Sequence, residues 1–129
     1  MASRAVVLDT NFLLIPFQFK INIFAELEYL IEKNHHYVVS SRTISELKHL
    51  ATKIGKDGMA ARLALKLVES QKEKITIIEN RMEVDDWIFK YSHENHAIAC
   101  TNDAELRRRL RELKIKTISM KSKVKIGYI

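Results

Sequence analysis

The chain has 129 residues, of which 47% are hydrophobic and 29% are charged, and its formal net charge is +6. These values predict one domain over residues 1–129, with a single core and a single site. No apolar run reaches the roughly 18 residues of a membrane span, and no signal-peptide pattern opens the chain, so we expect a cytoplasmic protein with no membrane partner. The lone cysteine, Cys100, cannot form an internal disulfide and is predicted to be a buried apolar residue.

Short apolar runs alternate with segments of helical periodicity along the chain. The first run, residues 4–8, is predicted to be a buried strand that ends at Asp9, and residues 11–16 receive no element. Further strands are predicted at 37–40, 75–78, 97–100 and 117–120, with a terminal strand within 124–129. Helices are predicted at about 22–33, 41–54, 59–73 with Asp57 as a cap, 84–94 and 102–113. This alternation favours an α/β/α sandwich with a central parallel sheet of about five strands.

Acidic residues follow predicted strand ends or lie in the helix after a strand, at Asp9, Glu46, the pair Asp85 and Asp86, and Asp103. Open α/β sheets bind ligands beyond the carboxyl ends of their strands, so we expect these carboxylates to gather at one edge. Like charges at close range raise one another's pKa and resist folding unless a cation neutralises them. Oxygen ligands without Cys or His at matching spacing favour Mg²⁺ or Mn²⁺ over zinc.

Each acidic position also has an ordinary structural interpretation. Thr43 to Glu46 matches a capping box, as does Asn102 to Glu105, which would leave Asp103 as a first-turn acid favoured by the helix dipole. The pair at 85 and 86 suits the first turn of a helix in the same way. For any one position the two interpretations stay open, and only the coincidence of all of them at one edge favours a metal site.

The acidic positions and their neighbours resemble those of the PIN-domain nucleases, a family that includes VapC-type toxins and archaeal and ribosomal-RNA-processing ribonucleases. The resemblance rests on Asp9-Thr10-Asn11, Glu46, Asp85-Asp86-Trp87-Ile88 and Thr101-Asn102-Asp103. It covers nearly the whole chain in order and spacing. It implies a PIN-like fold and a metal-dependent endoribonuclease that hydrolyses RNA phosphodiester bonds with Mg²⁺ or Mn²⁺.

The resemblance also implies roles for individual residues. The catalytic and metal-binding acids would be Asp9, Glu46, Asp85 and Asp103, with Asp86 as a supporting metal ligand. We favour Asp85 over its neighbour because it stands three residues before Ile88, as the family's aspartate stands before its apolar residue. Hydrogen bonds that orient the carboxylates or the phosphate would come from Thr10, Asn11, Thr101 and Asn102, whose alternative role is capping and turn formation.

RNA contacts are predicted for a basic run, Arg107, Arg108, Arg109 and Arg111, because arginines one turn from a metal site can hold flanking phosphates. The alternative is a solvated helix face. A basic exterior around an acidic pocket fits a polyanionic substrate. The resemblance further implies a homodimer, with the apolar region from Phe12 to Phe24 as a candidate face, and, for a toxin, a small antitoxin protein as partner.

Two other classes of function remain as alternatives. A catalytically idle RNA-binding module is disfavoured by the complete acid set, since a degenerate copy would be expected to lack one acid. A metal-dependent phosphatase or phospho-accepting receiver would place an acceptor aspartate at the third strand, where this chain has Ile78-Glu79-Asn80.

Overall fold

The structure is a computed structural model that describes residues 3–129. Its strands are β1 (Arg4–Leu8), β2 (His35–Ser40), β3 (Ile75–Ile78), β4 (Ile98–Cys100), β5 (Thr117–Ser122) and β6 (Lys125–Tyr128). Its helices are α1 (Thr10–Phe19), α2 (Ile23–Leu30), α3 (Ser41–Leu50), α4 (Lys56–Ser70), α5 (Val84–Asn95) and α6 (Ala104–Glu112). None of the helices within residues 3–129 has the length and apolar character needed to cross a membrane.

The strands form one sheet in the order β3-β2-β1-β4-β5-β6. Every neighbouring pair is parallel except β5 and β6, which are antiparallel. Strand β1 is central, and its Val6 is in register with Tyr37 of β2 on one side and Ile98 of β4 on the other. The strand order therefore reverses direction at β1, and this reversal opens a crevice at the carboxyl ends of β1 and β4.

Helices cover both faces of the sheet because alternate residues of the buried strands point to opposite sides. Val6 and Leu8 of β1 pack with the cluster that contains helices α1 to α4, whereas Ala5 and Val7 pack with α5 and α6. The predicted α/β/α sandwich is thus confirmed. The terminal strand predicted within residues 124–129 is present as β6, so the sheet has six strands instead of about five. Strand β6 is antiparallel to β5 because a tight turn returns the chain directly alongside β5.

Helix α1 is an element that the sequence analysis left unassigned. It begins at Thr10 after the cap residue Asp9 and keeps Pro16 in its interior. Four consecutive residues, Phe12 to Ile15, are buried, so the segment lacks the one-sided periodicity of a surface helix. Because α1 lies between the sheet and neighbouring helices, it is buried on several sides. This explains both the continuous apolar run and the absence of the periodicity that identifies a surface helix.

The helix starts differ from the predicted caps. Ser40, and not Thr43, caps α3 by accepting a hydrogen bond from the Arg42 N–H at 3.1 Å, so the capping-box interpretation of the segment that ends at Glu46 is wrong. Helix α4 starts after Gly55, whose φ of 101° suits glycine, and Asp57 lies in the first turn instead of at the cap. The predicted burial of Cys100 is confirmed, and this burial raises the pKa of its thiol.

Candidate active site

Asp9 follows β1 directly and is 3% exposed, which places a carboxylate at the crevice where the strand order reverses. Its Oδ1 accepts a hydrogen bond from the Thr10 N–H at 2.8 Å. Its Oδ2 accepts one from the Thr101 hydroxyl at 2.6 Å and one from the Asn11 amide at 3.1 Å. Burial raises the pKa of Asp9 to about 6, the hydrogen bonds from Thr101 and Thr10 oppose the rise, and the negative charges of Asp85 and Glu46 add to it.

Glu46 reaches the same edge from α3. Its side chain is exposed, and the Thr10 hydroxyl lies 2.5 Å from its Oε1 as a hydrogen-bond donor. The Thr10 hydroxyl also lies 3.3 Å from that of the buried Thr43. Thr10 thus contacts Glu46 through its side chain and Asp9 through its backbone, and it holds the two carboxylates near each other.

Asp85 is the acid that links the others electrostatically. It lies exposed in the first turn of α5, and its pKa is raised by partial loss of hydration and then by the charges of Asp103, Glu46 and Asp86. Arg109 lowers it. Asp85 also raises the pKa of Asp9. It therefore interacts electrostatically with Asp9 after β1, with Glu46 in α3 and with Asp103 at the start of α6.

Asp86 has a different environment from Asp85. Its Oδ1 accepts a hydrogen bond from the Arg109 guanidinium at 3.0 Å, and the same guanidinium lies 4.5 Å from the centre of the Phe89 ring. The two neighbouring aspartates are thereby divided, with Asp86 paired to a cation and Asp85 without a recorded hydrogen-bond partner among residues 3–129.

Asp103 caps α6, with its Oδ1 accepting a hydrogen bond from the Leu106 N–H at 2.7 Å. The predicted capping box with Asn102 as the cap is therefore wrong by one residue. Thr101 connects Asp103 to Asp9, because its hydroxyl oxygen accepts a hydrogen bond from the Asp103 N–H at 3.0 Å while the same hydroxyl donates one to Asp9.

Asn102 joins the ends of three strands. Its backbone N–H donates to the Asn11 Oδ1 at 2.9 Å, and its own Oδ1 accepts from the hydroxyl of Ser119 at 2.9 Å and from the Met120 N–H at 3.0 Å. Ser119 was not singled out in the sequence. The available signal was a small polar residue between Ile118 and Met120 of β5. In the structure Ser119 is 1% exposed and donates to Asn102.

The four arginines of α6 do not share one environment. Arg108 forms ion pairs with Glu105 and Glu112, and Arg109 pairs with Asp86. Arg107 reaches the Ser119 hydroxyl at 3.4 Å, and Arg111 lines the groove between α6 and β5 together with Arg107. Arg107 and Arg111 of this run therefore face this groove.

Several carboxylate oxygens accept no hydrogen bond from the residues that the structure describes, namely the Oε2 of Glu46, both oxygens of Asp85 and the Oδ2 of Asp103. An all-oxygen set of this kind fits a hard divalent cation. No three His, Cys, Asp or Glu side chains of residues 3–129 lie close enough to hold a metal ion as they stand. The acids can shift one another's pKa without lying close enough to hold one ion, because charges interact over longer distances than the roughly 2.0–2.6 Å of a coordination bond.

The α/β/α order, the strand reversal at β1 and the acids at that edge define a class of α/β/α sandwiches with an acidic crevice. A family model described as a PIN like domain matches residues 6–123, so the chain belongs to the PIN-domain family, as its sequence motifs implied.

Two archaeal relatives and two solved structures are similar to the chain. Ribonuclease VapC4 of Methanocaldococcus jannaschii is 32% identical over 122 residues, covering 92% of this chain and 91% of that protein. Ribonuclease VapC9 of Archaeoglobus fulgidus is 29% identical over 111 residues, covering 84% and 77%. The PIN domain endonuclease Utp24 superimposes with a TM-score of 0.78 at 25% identity, covering 96% of this chain and 90% of that one. A domain of a functionally unknown M. jannaschii protein shares the fold, with a TM-score of 0.65 at 20% identity over 93% of both chains.

Proposed function

We propose that the protein is a metal-dependent endoribonuclease that hydrolyses RNA phosphodiester bonds at the Asp9 edge of the sheet. The observation that carries the proposal is the burial of Asp9, with its pKa raised to about 6, beside further carboxylates. A carboxylate whose pKa is raised by burial and by neighbouring acids in a crevice is typical of a functional site. The names of the two VapC relatives and of the Utp24 structure support the same activity.

The residues that would hold Mg²⁺ or Mn²⁺ are Asp9, Glu46, Asp85 and Asp103, with Asp86 beside them. Glu46 and Asp85 are exposed, so their side chains can rotate toward a cation without disturbing the core. A divalent cation bound by carboxylates stabilises negative charge on a phosphate and lowers the pKa of water. Asp85 is the better candidate of its pair because Asp86 already neutralises Arg109.

Polar neighbours would keep the acids oriented and ionised. The Thr101 hydroxyl and the Thr10 N–H stabilise the charged form of Asp9, and the Thr10 hydroxyl directs Glu46 toward it. Asn11 and Asn102 fix the ends of β1 and β4 against each other through the 2.9 Å hydrogen bond. These contacts limit the motion of the site before substrate arrives, which is the usual contribution of residues around metal ligands.

The biological role divides into two proposals. The VapC relatives favour a toxin that a small antitoxin protein inhibits, whereas the Utp24 likeness favours an RNA-processing nuclease. Growth arrest on expression, relieved by a small protein encoded beside the gene, would support the toxin. Normal growth with accumulation of an RNA precursor on deletion would support processing.

The homodimer and the cytoplasmic location stay predictions. Phe12 and Phe24 are buried within the protomer, which leaves less exposed apolar surface in the proposed dimer region.

The test of the activity is cleavage of labelled single-stranded and structured RNA by the wild type and by Asp9→Asn, with Mg²⁺, Mn²⁺ or EDTA. We expect metal-dependent cutting that Asp9→Asn abolishes. Asp57→Asn, an exposed aspartate in the first turn of α4, is the matched control and should cut normally. Binding of RNA without cutting in every metal would instead identify the idle RNA-binding module.

A further inference from the structure

A continuous basic surface lies along α6 and β5. It consists of two adjoining depressions of about 310 and 270 Å³ that share Lys114, Ile115 and Lys116. None of the described residues that line the two depressions has an acidic side chain. We call this surface the α6 track, and its polar members used below are Arg4, Ser92, Arg107, Arg111, Lys114 and Lys116.

Unmet hydrogen-bonding capacity is concentrated on the α6 track. Within residues 3–129, the buried side-chain polar atoms that lack a partner are the Nε of Arg4, the Oγ of Ser92 and the Nε of Arg107. All three residues line the track. Two of the atoms belong to guanidinium groups, which only donate, and buried donors are normally satisfied. The unsatisfied groups are therefore mainly donors, which is the hydrogen-bonding character that an anionic ligand complements.

The cations of the track are available to such an acceptor. The side chains of Arg111, Lys114 and Lys116 are exposed, and none of them has a recorded ion pair in the part of the chain that the structure describes. Arg4 is an exception, since it approaches Glu32 at 3.5 Å, but that carboxylate is more than half exposed. By contrast, Arg108 of the same helix does not line the track and pairs with two glutamates.

The track leads away from the acidic edge. Arg107 contacts Ser119, whose hydroxyl donates to Asn102 at the site, and Lys114 follows the far end of α6. Arg107 and Lys114 are seven positions apart, which corresponds to roughly 10 Å at a rise of about 1.5 Å per residue. Lys116 and Arg4 extend the positive charge to the opposite edge of the sheet, where β1, β4 and β5 begin.

We propose that the α6 track binds successive phosphates of the single-stranded RNA that flanks the scissile bond. The proposal rests on the ribonuclease function proposed above and names the path of its substrate. RNA is favoured over an acidic protein because Arg107 of the track is hydrogen-bonded to Ser119 beside the acidic edge, which places the track within reach of one extended polyanion bound at that edge. Cations in a row that meet backbone phosphates bind without sequence preference and with strong salt dependence.

The test uses a double variant of the track that combines Lys114→Gln and Lys116→Gln. Its control is a second double variant that combines Lys53→Gln and Lys66→Gln. The control lysines are exposed and lie after α3 and on α4, across the sheet from the track. RNA binding is measured by fluorescence anisotropy in EDTA over a series of salt concentrations, with one long RNA and one too short to leave the acidic edge. Thermal unfolding verifies that both doubles fold.

The track variant is expected to bind the long RNA several-fold more weakly. The slope of log affinity against log salt should fall by about 1.4, because each phosphate of a single strand that a lysine no longer neutralises lowers the slope by about 0.7. The short RNA and the control double should show no change. In cleavage assays the KM of the long substrate should rise with kcat unaltered.

Three results would overturn the proposal that the track binds RNA. They are an unchanged salt slope and KM, equal losses of affinity for long and short RNA, or competition by inorganic phosphate as strong as by RNA, which would indicate an isolated anion site. Failure of the ribonuclease proposal looks different. In that case the wild type cuts no RNA in any metal, while the salt slope still distinguishes the track variant from its control.

Discussion

Thr101 and Asp9 are joined by a buried 2.6 Å hydrogen bond although 92 residues separate them in the chain. The bond connects the ends of β4 and β1, the two strands between which the crevice opens. It also favours the ionised form of a carboxylate whose burial favours the neutral form. One contact therefore joins the ends of two central strands and favours the negative charge that the proposed metal site requires.

Asp9 should make the metal-free protein less stable as pH rises. Its pKa lies at about 6 in the folded state against an ordinary 3.8, so the folded state holds a proton that the unfolded chain has already released. The stabilising contribution is complete below pH 3.8 and is lost as pH rises through about 6. At 1.36 kcal/mol per pKa unit the loss amounts to about 3 kcal/mol.

Urea unfolding from pH 4 to pH 8 in EDTA measures this loss by comparison with Asp9→Asn. The free energy of unfolding of the variant relative to the wild type should increase by about 3 kcal/mol across the range. The Asn11 amide would face another amide in the variant, which adds a constant offset and not a slope. A difference that stays constant with pH would contradict the raised pKa.

Thr101→Val should impair the site more than the fold. The variant removes the hydroxyl that donates to Asp9 and accepts from the Asp103 N–H, at a cost of about 1–3 kcal/mol. Because that hydrogen bond lowers the pKa of Asp9, the acidic limb of the pH–rate profile should move to higher pH. Thr101→Ser should restore the limb. Thr117→Val removes another buried hydroxyl, which donates to the Ile115 carbonyl, and should leave the limb in place.

Asp85→Asn and Asp86→Asn should have unequal effects on cleavage. Asp85 interacts with Asp9, Glu46 and Asp103, whereas Asp86 pairs with Arg109. We expect kcat to fall by roughly 100-fold or more for Asp85→Asn, in the range of a lost catalytic carboxylate, and by less than about tenfold for Asp86→Asn. Steady-state kinetics at saturating metal measure both values, and the reverse order would assign the main role to Asp86.

Metal binding should be visible without any RNA. At a free Mn²⁺ concentration 100 times its Kd, binding to the folded state alone adds about 2.7 kcal/mol. For a domain of this size the thermal midpoint should rise by roughly 10 °C. EDTA should reverse the rise, and Asp9→Asn should lack it. An equal rise in both proteins would place the cation elsewhere.

Local patterns in the sequence were sufficient for the strands, most helices and the acids. Strand periodicity and the polar residues that follow each strand end depend on neighbours in the chain, so β1, β3 and the acid positions could be located without a structure. The motifs around Asp9 and Thr101 also indicated the family correctly. The parallel sheet followed from the alternation of strands and helices.

Only the tertiary structure decided the features that depend on distant contacts. It made a central helix of the apolar segment after Asp9, paired β6 antiparallel to β5, and brought Ser119 to the acidic edge. It also separated Asp85 from Asp86 and divided the arginines of α6 between glutamates and a groove. The physical reason is that burial and electrostatic coupling depend on which surfaces pack together, and residues adjacent in the chain can face opposite surroundings once a helix is docked.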